Sequence, residues 1–349
     1  TGKIECLFTV DEESGMTGAI NLKPDFFEGR TLLNLDSEDE GILFIGCAGG
    51  MDTVGDLNYK SISVQKGMTG LEISITGLHG GHSGDEIHKG FGNSVKLMNR
   101  ILWNLSNQFD ISVNRFDGGN LRNAIPREAF AIIAVDKVSK DQVIDWVMNF
   151  QTVLNEEFSE IEKDLKITIK EIETPSSVMD KETQVKLLNS LTCCPHGVIA
   201  WSHEMTDLVE TSTNLASVSF VEENNIKIIT TQRSSVESSK HDVAGMVESC
   251  LRLAGAKVVH SDGYPGWKPS MKSEILKITR RSYINLFGKE PLVRAIHAGL
   301  ECGLIYEKFK GIDMISFGPS IRGAHTPDEK IEIKTVVMFW NLLIDVISN

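Results

Sequence analysis

Two strand-like apolar runs in this chain each end in carboxylates, and this pattern limits the possible folds more than any other. Residues 6–10 lead into an Asp-Glu-Glu run at 11–13, and residues 31–35 lead into Asp36. Successive strand side chains point to opposite faces, so adjacent acids can serve different tasks. Open α/β folds bind their ligands at the carboxyl ends of the strands. The two runs therefore predict a site at one edge of a sheet.

Length and charge narrow the class of protein. A chain of 349 residues is expected to form more than one domain, and its 41% hydrophobic content is ample for packed cores. No stretch approaches the roughly 20 apolar residues of a membrane helix. The net charge of −13 argues against wrapping nucleic acid, which needs a basic face. We therefore expect neither a membrane nor a nucleic acid as partner.

The cysteines indicate the compartment. Six of them occur without a Cys-x-x-Cys pair, which argues against a zinc ribbon or a thioredoxin-like site. They are too sparse for a disulfide framework, so we expect reduced thiols and a cytoplasmic location.

The pattern of predicted strands and helices changes twice along the chain. Residues 4–49 read as sheet strands with short connections. From about residue 70 the chain follows a strand–helix–strand–strand–helix–strand rhythm, which ends at the Gly-Tyr-Pro-Gly-Trp run of 263–267. An α/β texture then returns. We therefore predict a discontinuous α/β domain, residues 1–49 and 265–349, with an inserted α+β lid domain, residues 50–264.

Several elements can be placed within this outline. Period-2 alternation predicts strands, and longer apolar-periodic runs predict helices. The predicted helices include 93–105, 141–158 and 330–347, and the predicted strands include 110–116, 124–135 and a hairpin formed by 215–221 and 226–231.

Four side chains are the best metal-site candidates. Glu12, Glu13, Asp36 and His325 offer carboxylate oxygens and an imidazole, which suit zinc, manganese or cobalt. His325 lies in a loop just before a helix, where it can approach the strand ends. The alternative is that the acids cap a helix or solvate a strand end.

A glycine-rich loop forms a second candidate. Residues 77–84 place four glycines around two histidines, which allows close backbone approach to a ligand. His82 is suited to donate to a developing oxyanion. The alternative is a tight turn with exposed histidines.

Three further polar residues are candidates for binding a substrate. Asn214 and Arg322 are expected in loops, and an arginine fork pairs well with a carboxylate. Glu301 can hold an ammonium group, although a charge at a helix terminus is an equal alternative. Surface placement or backbone bonding is the alternative for the other two.

These motifs, in this order, resemble the M20 family of co-catalytic metallopeptidases, and most closely its aminoacyl-histidine dipeptidase branch. The resemblance spans nearly the whole chain. Glu-Glu and Gly-Gly-His-Ser mark the family, whereas Cys-Ala-Gly-Gly and His-Ala-Gly-Leu-Glu-Cys point to the branch. The matching segments are residues 9–16, 33–38, 46–50, 80–84, 296–303 and 316–329.

The resemblance implies a zinc-peptidase catalytic domain with two metal ions and an inserted lid that forms a homodimer. Glu12 would be the general base, and His82 would stabilise the oxyanion, in this family often across the dimer. Glu13 and His325 would share one ion, and Asp36 would hold the other. Asn214 and Arg322 would hold the substrate's terminal carboxylate. The expected reaction is hydrolysis of dipeptides of the Xaa-His type, such as carnosine, by a water that two metal ions activate.

One departure from the family pattern concerns the metal ligands. The family places a His-x-Asp motif and a bridging aspartate before the Glu-Glu pair, and only eleven residues precede that pair here. We therefore expect that the chain lacks the amino-terminal portion of the family and that, as it stands, it binds metal poorly, which leaves its own activity open. Two alternatives stay open: an N-acyl amino acid deacylase or carboxypeptidase of the same family, and a non-catalytic binding or assembly protein.

Overall fold

A computed structural model describes residues 2–12, 15–222, 224–323 and 328–349. Two larger sheets, each with its own hydrophobic core, organise these residues. The helices are α1 Thr17–Asn21, α2 Ser94–Gln108, α3 Lys140–Glu157, α4 Lys181–Cys193, α5 Glu237–Leu253, α6 Glu274–Phe287, α7 Glu301–Lys308 and α8 Ile333–Ser348.

The strands fall into two larger sheets and two short pairs. They are β1 Thr31–Asn34, β2 Ile42–Cys47, β3 Gly49–Asn58, β4 Ser61–Ser63, β5 Met68–Thr76, β6 Ile111–Gly118, β7 Ala129–Asp136, β8 Lys166–Ile172, β9 Ser177–Met179, β10 Gly197–Trp201, β11 Val209–Val221, β12 Asn225–Ser234, β13 Lys257–His260, β14 Leu292–Ile296, β15 Asp313–Ser316, β16 Ile321–Arg322 and β17 Lys330–Ile331.

The larger sheet is antiparallel and lies within the predicted insertion. Its order is β13-β3-β12-β11-β6-β7-β5-β8, with β10 paired to β11. Burial alternates along β5, as expected where one sheet face packs on a core. Helices α2 to α5 supply that cover and share the core with the sheet. The predicted hairpin is confirmed as β11 and β12.

The smaller sheet is mixed, in the order β1-β15-β2-β14. β1 runs parallel to β15, and β14 runs parallel to β2, whereas Ser316 of β15 pairs antiparallel with Phe44 of β2. Helices α6, α7 and α8 contribute to its core. Because β1 and β15 are parallel, Asp36 and the chain beyond Ser316 leave the sheet at the same edge.

The predicted helices are confirmed, and local sequence explains where one of them begins. The Asn93 side chain accepts a hydrogen bond from the Lys96 N–H at 3.1 Å and caps α2. The buried side of α2 then repeats at helical spacing.

The expectation of a strand at residues 6–10 is wrong. Residues 2–9 have no regular secondary structure, and the Phe8 side chain is 90% exposed. Asp11 adopts a positive φ of 59°, and its carbonyl accepts hydrogen bonds from the Gly15 and Met16 N–H groups. An apolar run becomes a strand only when another strand pairs with it, and none of the described strands pairs with this segment.

The strand predicted over 124–135 is shorter than expected. It begins at Ala129, because Pro126 has no N–H to donate to a ladder. Ala124 forms an isolated bridge with His82 instead.

The two sheets meet where β2 leads into β3, at a contact that we call the junction (residues 46–50 and 263–267). Cys47 pairs antiparallel with Trp267, and Gly50 pairs antiparallel with Tyr264. The Gly-Tyr-Pro-Gly-Trp run of 263–267 is therefore hydrogen-bonded to residues 47–50 and is not a free linker. The domain boundaries 1–49, 265–349 and 50–264 stay a prediction.

Among the described residues, no helix combines the length and apolarity needed to cross a membrane.

Candidate active site

The first group of predicted residues is acidic. Asp36 follows β1 and is exposed, and its N–H donates to the Asn34 Oδ1 at 3.1 Å. Glu12 is partly buried. Glu13 and His325 lie outside the described residues, so their predicted roles as ligands stay predictions.

Glu301 joins this acidic group. It begins α7, and its Oε2 accepts a hydrogen bond from the Thr9 hydroxyl at 2.8 Å. Its Oε1 is buried and has no hydrogen-bond partner among the described residues. Burial raises the pKa of Glu301, and the negative charge of Asp36 raises it further. A cation or ammonium group placed here would relieve both effects.

A metal ion fits the chemistry of the predicted donor set. The described residues contain no group of three or more His, Cys, Asp or Glu side chains arranged to hold a metal. Asp36 is the one predicted ligand that the structure describes. The charge of Asp36 acts on the neighbouring Glu301, whose Oε1 is buried. Oxygen donors together with the imidazole of His325 would suit zinc.

The second group of polar residues surrounds His82. Its Nδ1 accepts hydrogen bonds from the N–H groups of Gly84 at 3.3 Å and Asp85 at 3.1 Å. Burial lowers the pKa of His82, and the positive charge of Arg233 lowers it further. A neutral ring with Nδ1 as acceptor carries its proton on Nε2. His82 is therefore prepared to donate a hydrogen bond from Nε2.

Arg233 and His297 belong to this second group. Arg233 lies on β12, is 6% exposed, and donates from Nη1 to the Tyr264 hydroxyl at 2.9 Å. His297 follows β14, and its Nε2 lies 2.7 Å from the Ser212 hydroxyl. Burial lowers the pKa of His297 to about 3, with a smaller contribution from the charge of Arg233.

Sequence reasoning assigned no role to either residue. His297 lies inside a motif that was recognised, whereas Arg233 lies just past the predicted strand of 226–231. A buried arginine in a strand gives no periodic signal that separates it from an exposed one.

Unpaired polar atoms concentrate around His82. A buried polar atom without a partner is costly, so several together point to a ligand. Within the described part of the chain, three such atoms belong to residues of the His82 loop, β11 and β12: Ser83 Oγ, Asn214 Oδ1 and Arg233 Nε.

The two predicted carboxylate binders differ in position. Asn214 lies within β11 rather than in a loop, and its side chain donates to the Ala124 carbonyl at 2.8 Å. Because Ala124 also bridges His82, Asn214 belongs to the second group. Arg322 is exposed and forms an ion pair with Asp39 at 2.8 Å. The binding roles of both residues stay predictions.

One short loop links the acidic and the polar groups. Residues 297–301 run from His297 to Glu301. The Ala48 N–H, at the junction, donates to the carbonyls of Ile296 and Ala298 at 3.0 and 3.1 Å. The loop therefore connects His297 of the polar group to Glu301 of the acidic group, and hydrogen bonds from the junction fix the start of the loop.

Comparison with known proteins decides the family. The chain is 39% identical to the cytosol non-specific dipeptidase of Escherichia coli (strain K12) over 347 residues, which is 99% of this chain and 71% of that protein. It belongs to the M20 metallopeptidase family. Residues 64–162 match the family model described as a peptidase dimerisation domain. The resemblance found in the sequence is thereby confirmed.

A solved structure agrees with this M20 assignment. The aminoacylhistidine dipeptidase of Vibrio alginolyticus superposes with a TM-score of 0.94 and 40% identity, over 97% of this chain and 69% of that one. The predicted fold class, an α/β metallopeptidase with an inserted lid, is confirmed. The expectation that a segment with further ligands precedes residue 1 stays a prediction.

Proposed function

We propose that this M20 protein hydrolyses dipeptides that carry a free amine, Xaa-His among them. The observation that carries the proposal is the separation of charge across the loop of 297–301. Asp36 and Glu301 lie on the acidic side, and on the other side the positive charge of Arg233 acts on His82 more strongly than either Asp85 or Glu86 does. A dipeptide is a short zwitterion, so its ammonium and carboxylate groups complement the two sides.

The metal ions supply one part of the chemistry. Two zinc ions, or cobalt or manganese, held by Glu13, Asp36 and His325 would activate a water and polarise the scissile carbonyl.

The chain's own residues handle the protons. Glu12 accepts the proton of the attacking water and passes it to the leaving amine. His82 donates from Nε2 to the oxyanion, because its Nδ1 is occupied by backbone N–H groups. The lowered pKa keeps the ring neutral near pH 7, so it donates without carrying a full charge.

Other residues position the substrate. Arg233 meets the substrate carboxylate with its buried guanidinium, and Asn214 contributes from the neighbouring strand. Arg322, which was expected here, is held by Asp39 and plays a smaller part. Glu301 accepts the substrate ammonium through its unpaired Oε1.

We further propose that the protein forms a homodimer through its lid and acts in the cytoplasm. The match to a peptidase dimerisation domain supports the first, and the name of the E. coli relative supports the second. We propose no nucleic acid or membrane as partner, in line with the net charge of −13.

A substrate panel tests the proposed function. Full-length protein, purified and loaded with zinc, is given Ala-His, β-alanyl-histidine and N-acetyl-alanine, and the products are quantified. We expect higher kcat/KM for the dipeptides with a free amine. A preference for N-acetyl-alanine would instead support the deacylase, and absence of turnover with retained dipeptide binding would support the binding protein.

A further inference from the structure

Tyr264 lies at the point where the two sheets meet, and the proposed reaction does not yet use it. Its backbone pairs with Gly50, and its carbonyl also accepts from the Lys240 ammonium at 2.8 Å. Lys240 is itself 1% exposed and forms an ion pair with Glu237 at 2.9 Å. The backbone of Tyr264 is therefore held from two sides.

The ring of Tyr264 is confined by two glycines. A Cβ added at Gly50 would lie 2.7 Å from the Tyr264 hydroxyl oxygen, and one added at Gly299 would lie 2.7 Å from its Cε2. Neither position has room for a side chain. Gly50 belongs to β3 of the larger sheet, whereas Gly299 belongs to the loop that carries His297 and Glu301. The ring therefore lies against both the larger sheet and the loop of 297–301.

The hydroxyl of Tyr264 reaches Arg233, the cation of the polar group. The Arg233 Nη1 donates to it at 2.9 Å, while the Arg233 Nε is buried without a partner among the described residues. A guanidinium is planar, so one hydrogen bond at Nη1 restricts the direction of the remaining N–H groups. The neighbouring strand offers no equivalent constraint, because Ser212, which pairs with Arg233, directs its hydroxyl to His297.

We propose that Tyr264 is a positioning residue that orients Arg233 toward the substrate carboxylate. It also fixes the position of Arg233 relative to the loop of 297–301. The proposal rests on the proposed function for the identity of the ligand. Tyr264 itself touches no reacting atom. The Gly-Tyr-Pro-Gly-Trp run thereby acquires a role in specificity as well as in joining the two sheets.

Tyr264→Phe tests the proposal, because it keeps the ring between the two glycines and removes the hydroxyl. We expect the KM for Ala-His to rise about 10-fold with kcat changed less than 2-fold, as for loss of a hydrogen bond to a charged group. For the C-terminal amide of Ala-His, which lacks the carboxylate, the change should stay below 2-fold. Tyr283→Phe is the matched control, since the Tyr283 hydroxyl donates to Glu40 in the core of the smaller sheet.

A double-mutant cycle separates positioning from packing. In an Arg233→Ala background, Tyr264→Phe should cause no further rise in KM. An undiminished rise in that background, or an equal rise for the amide substrate, would overturn the proposal.

A spectroscopic measurement separates this proposal from the proposed function. In protein labelled with ¹⁵N-arginine, the Nε–H resonance of Arg233, assigned with Arg233→Lys, should shift in Tyr264→Phe but not in Tyr283→Phe. An unchanged resonance would overturn the positioning role whatever the activity. Failure of the unaltered protein to act on Ala-His would overturn the proposed function, while the resonance would still report on Tyr264.

Discussion

Ser212 and His297 are joined by a buried hydrogen bond of 2.7 Å between the Ser212 hydroxyl and the His297 Nε2. Ser212 lies on β11 of the larger sheet, and His297 follows β14 of the smaller one. The bond therefore ties the lid sheet to the loop that ends at Glu301. Because the His297 ring is neutral, one ring nitrogen carries the proton, and the Ser212 hydroxyl can either donate to Nε2 or accept from it.

Removing this bond should weaken both the candidate site and the fold. We expect Ser212→Ala to lower kcat/KM for Ala-His about 10-fold, because the His297 ring loses its orientation, and to lower the free energy of unfolding by about 1–3 kcal/mol. Steady-state kinetics and urea denaturation measure the two effects. Ser219→Ala, on the same strand, is the control, and equal kinetics in the two variants would contradict this role for Ser212.

The proton-transfer role of Glu12 has a direct test. In the full-length protein, we expect Glu12→Gln to reduce dipeptide turnover about 100- to 10,000-fold while the zinc content stays unchanged, because the amide cannot accept the water proton. Turnover and metal analysis on the same preparation check this. Near-normal turnover would rule out Glu12 as the base, and loss of zinc would indicate that it is a ligand instead.

The acidic side of the loop predicts recognition of the amino group. We expect Glu301→Gln to raise KM about 10-fold for Ala-His, because the substrate ammonium loses its charged partner. The KM for N-acetyl-Ala-His, which has no ammonium group, should stay nearly unchanged. Glu307→Gln, which changes an exposed acid on the same helix, is the control. Equal effects on the two substrates would assign Glu301 a structural role.

Buried neutral histidines predict the pH dependence of stability. Burial lowers the pKa of His297 to about 3 and that of His196 to about 4, from an ordinary value of 6.5. Between these values the unfolded chain binds more protons than the folded one, so the free energy of unfolding rises with pH. We expect it to fall as the pH drops from about 6.5 toward 4, by up to about 1.4 kcal/mol per pH unit for each group.

A variant isolates the contribution of His297. His297→Gln should reduce the slope of unfolding free energy against pH by about 1.4 kcal/mol per pH unit in this window, which corresponds to one proton. Urea denaturation at several pH values measures the slope. His203→Gln, which alters an exposed loop histidine, is the matched control. An unchanged slope in His297→Gln would mean that the ring is already protonated in the folded protein.

Local patterns were sufficient for the elements that satisfy themselves along the chain. The Asn93 side chain caps the helix that follows it, and β11 pairs with β12 between residues that lie close along the chain. The apolar run at residues 6–10 was misread because a strand depends on a partner elsewhere. The loop predicted for Asn214 is replaced by a strand for a related reason, since the polar residues of β11 are buried between the strands that pair with it.

The sequence by itself determined the family, through acid pairs, glycine-rich loops and their order, and it supplied the types of side chain that a metallopeptidase needs. Only the tertiary structure decided which of them meet. Arg233 and Ser212 pair across β11 and β12, His297 arrives from beyond the other sheet, and Tyr264 joins them at the junction. Contacts between such distant residues depend on strand register and on how the two sheets dock, and no local spacing encodes either.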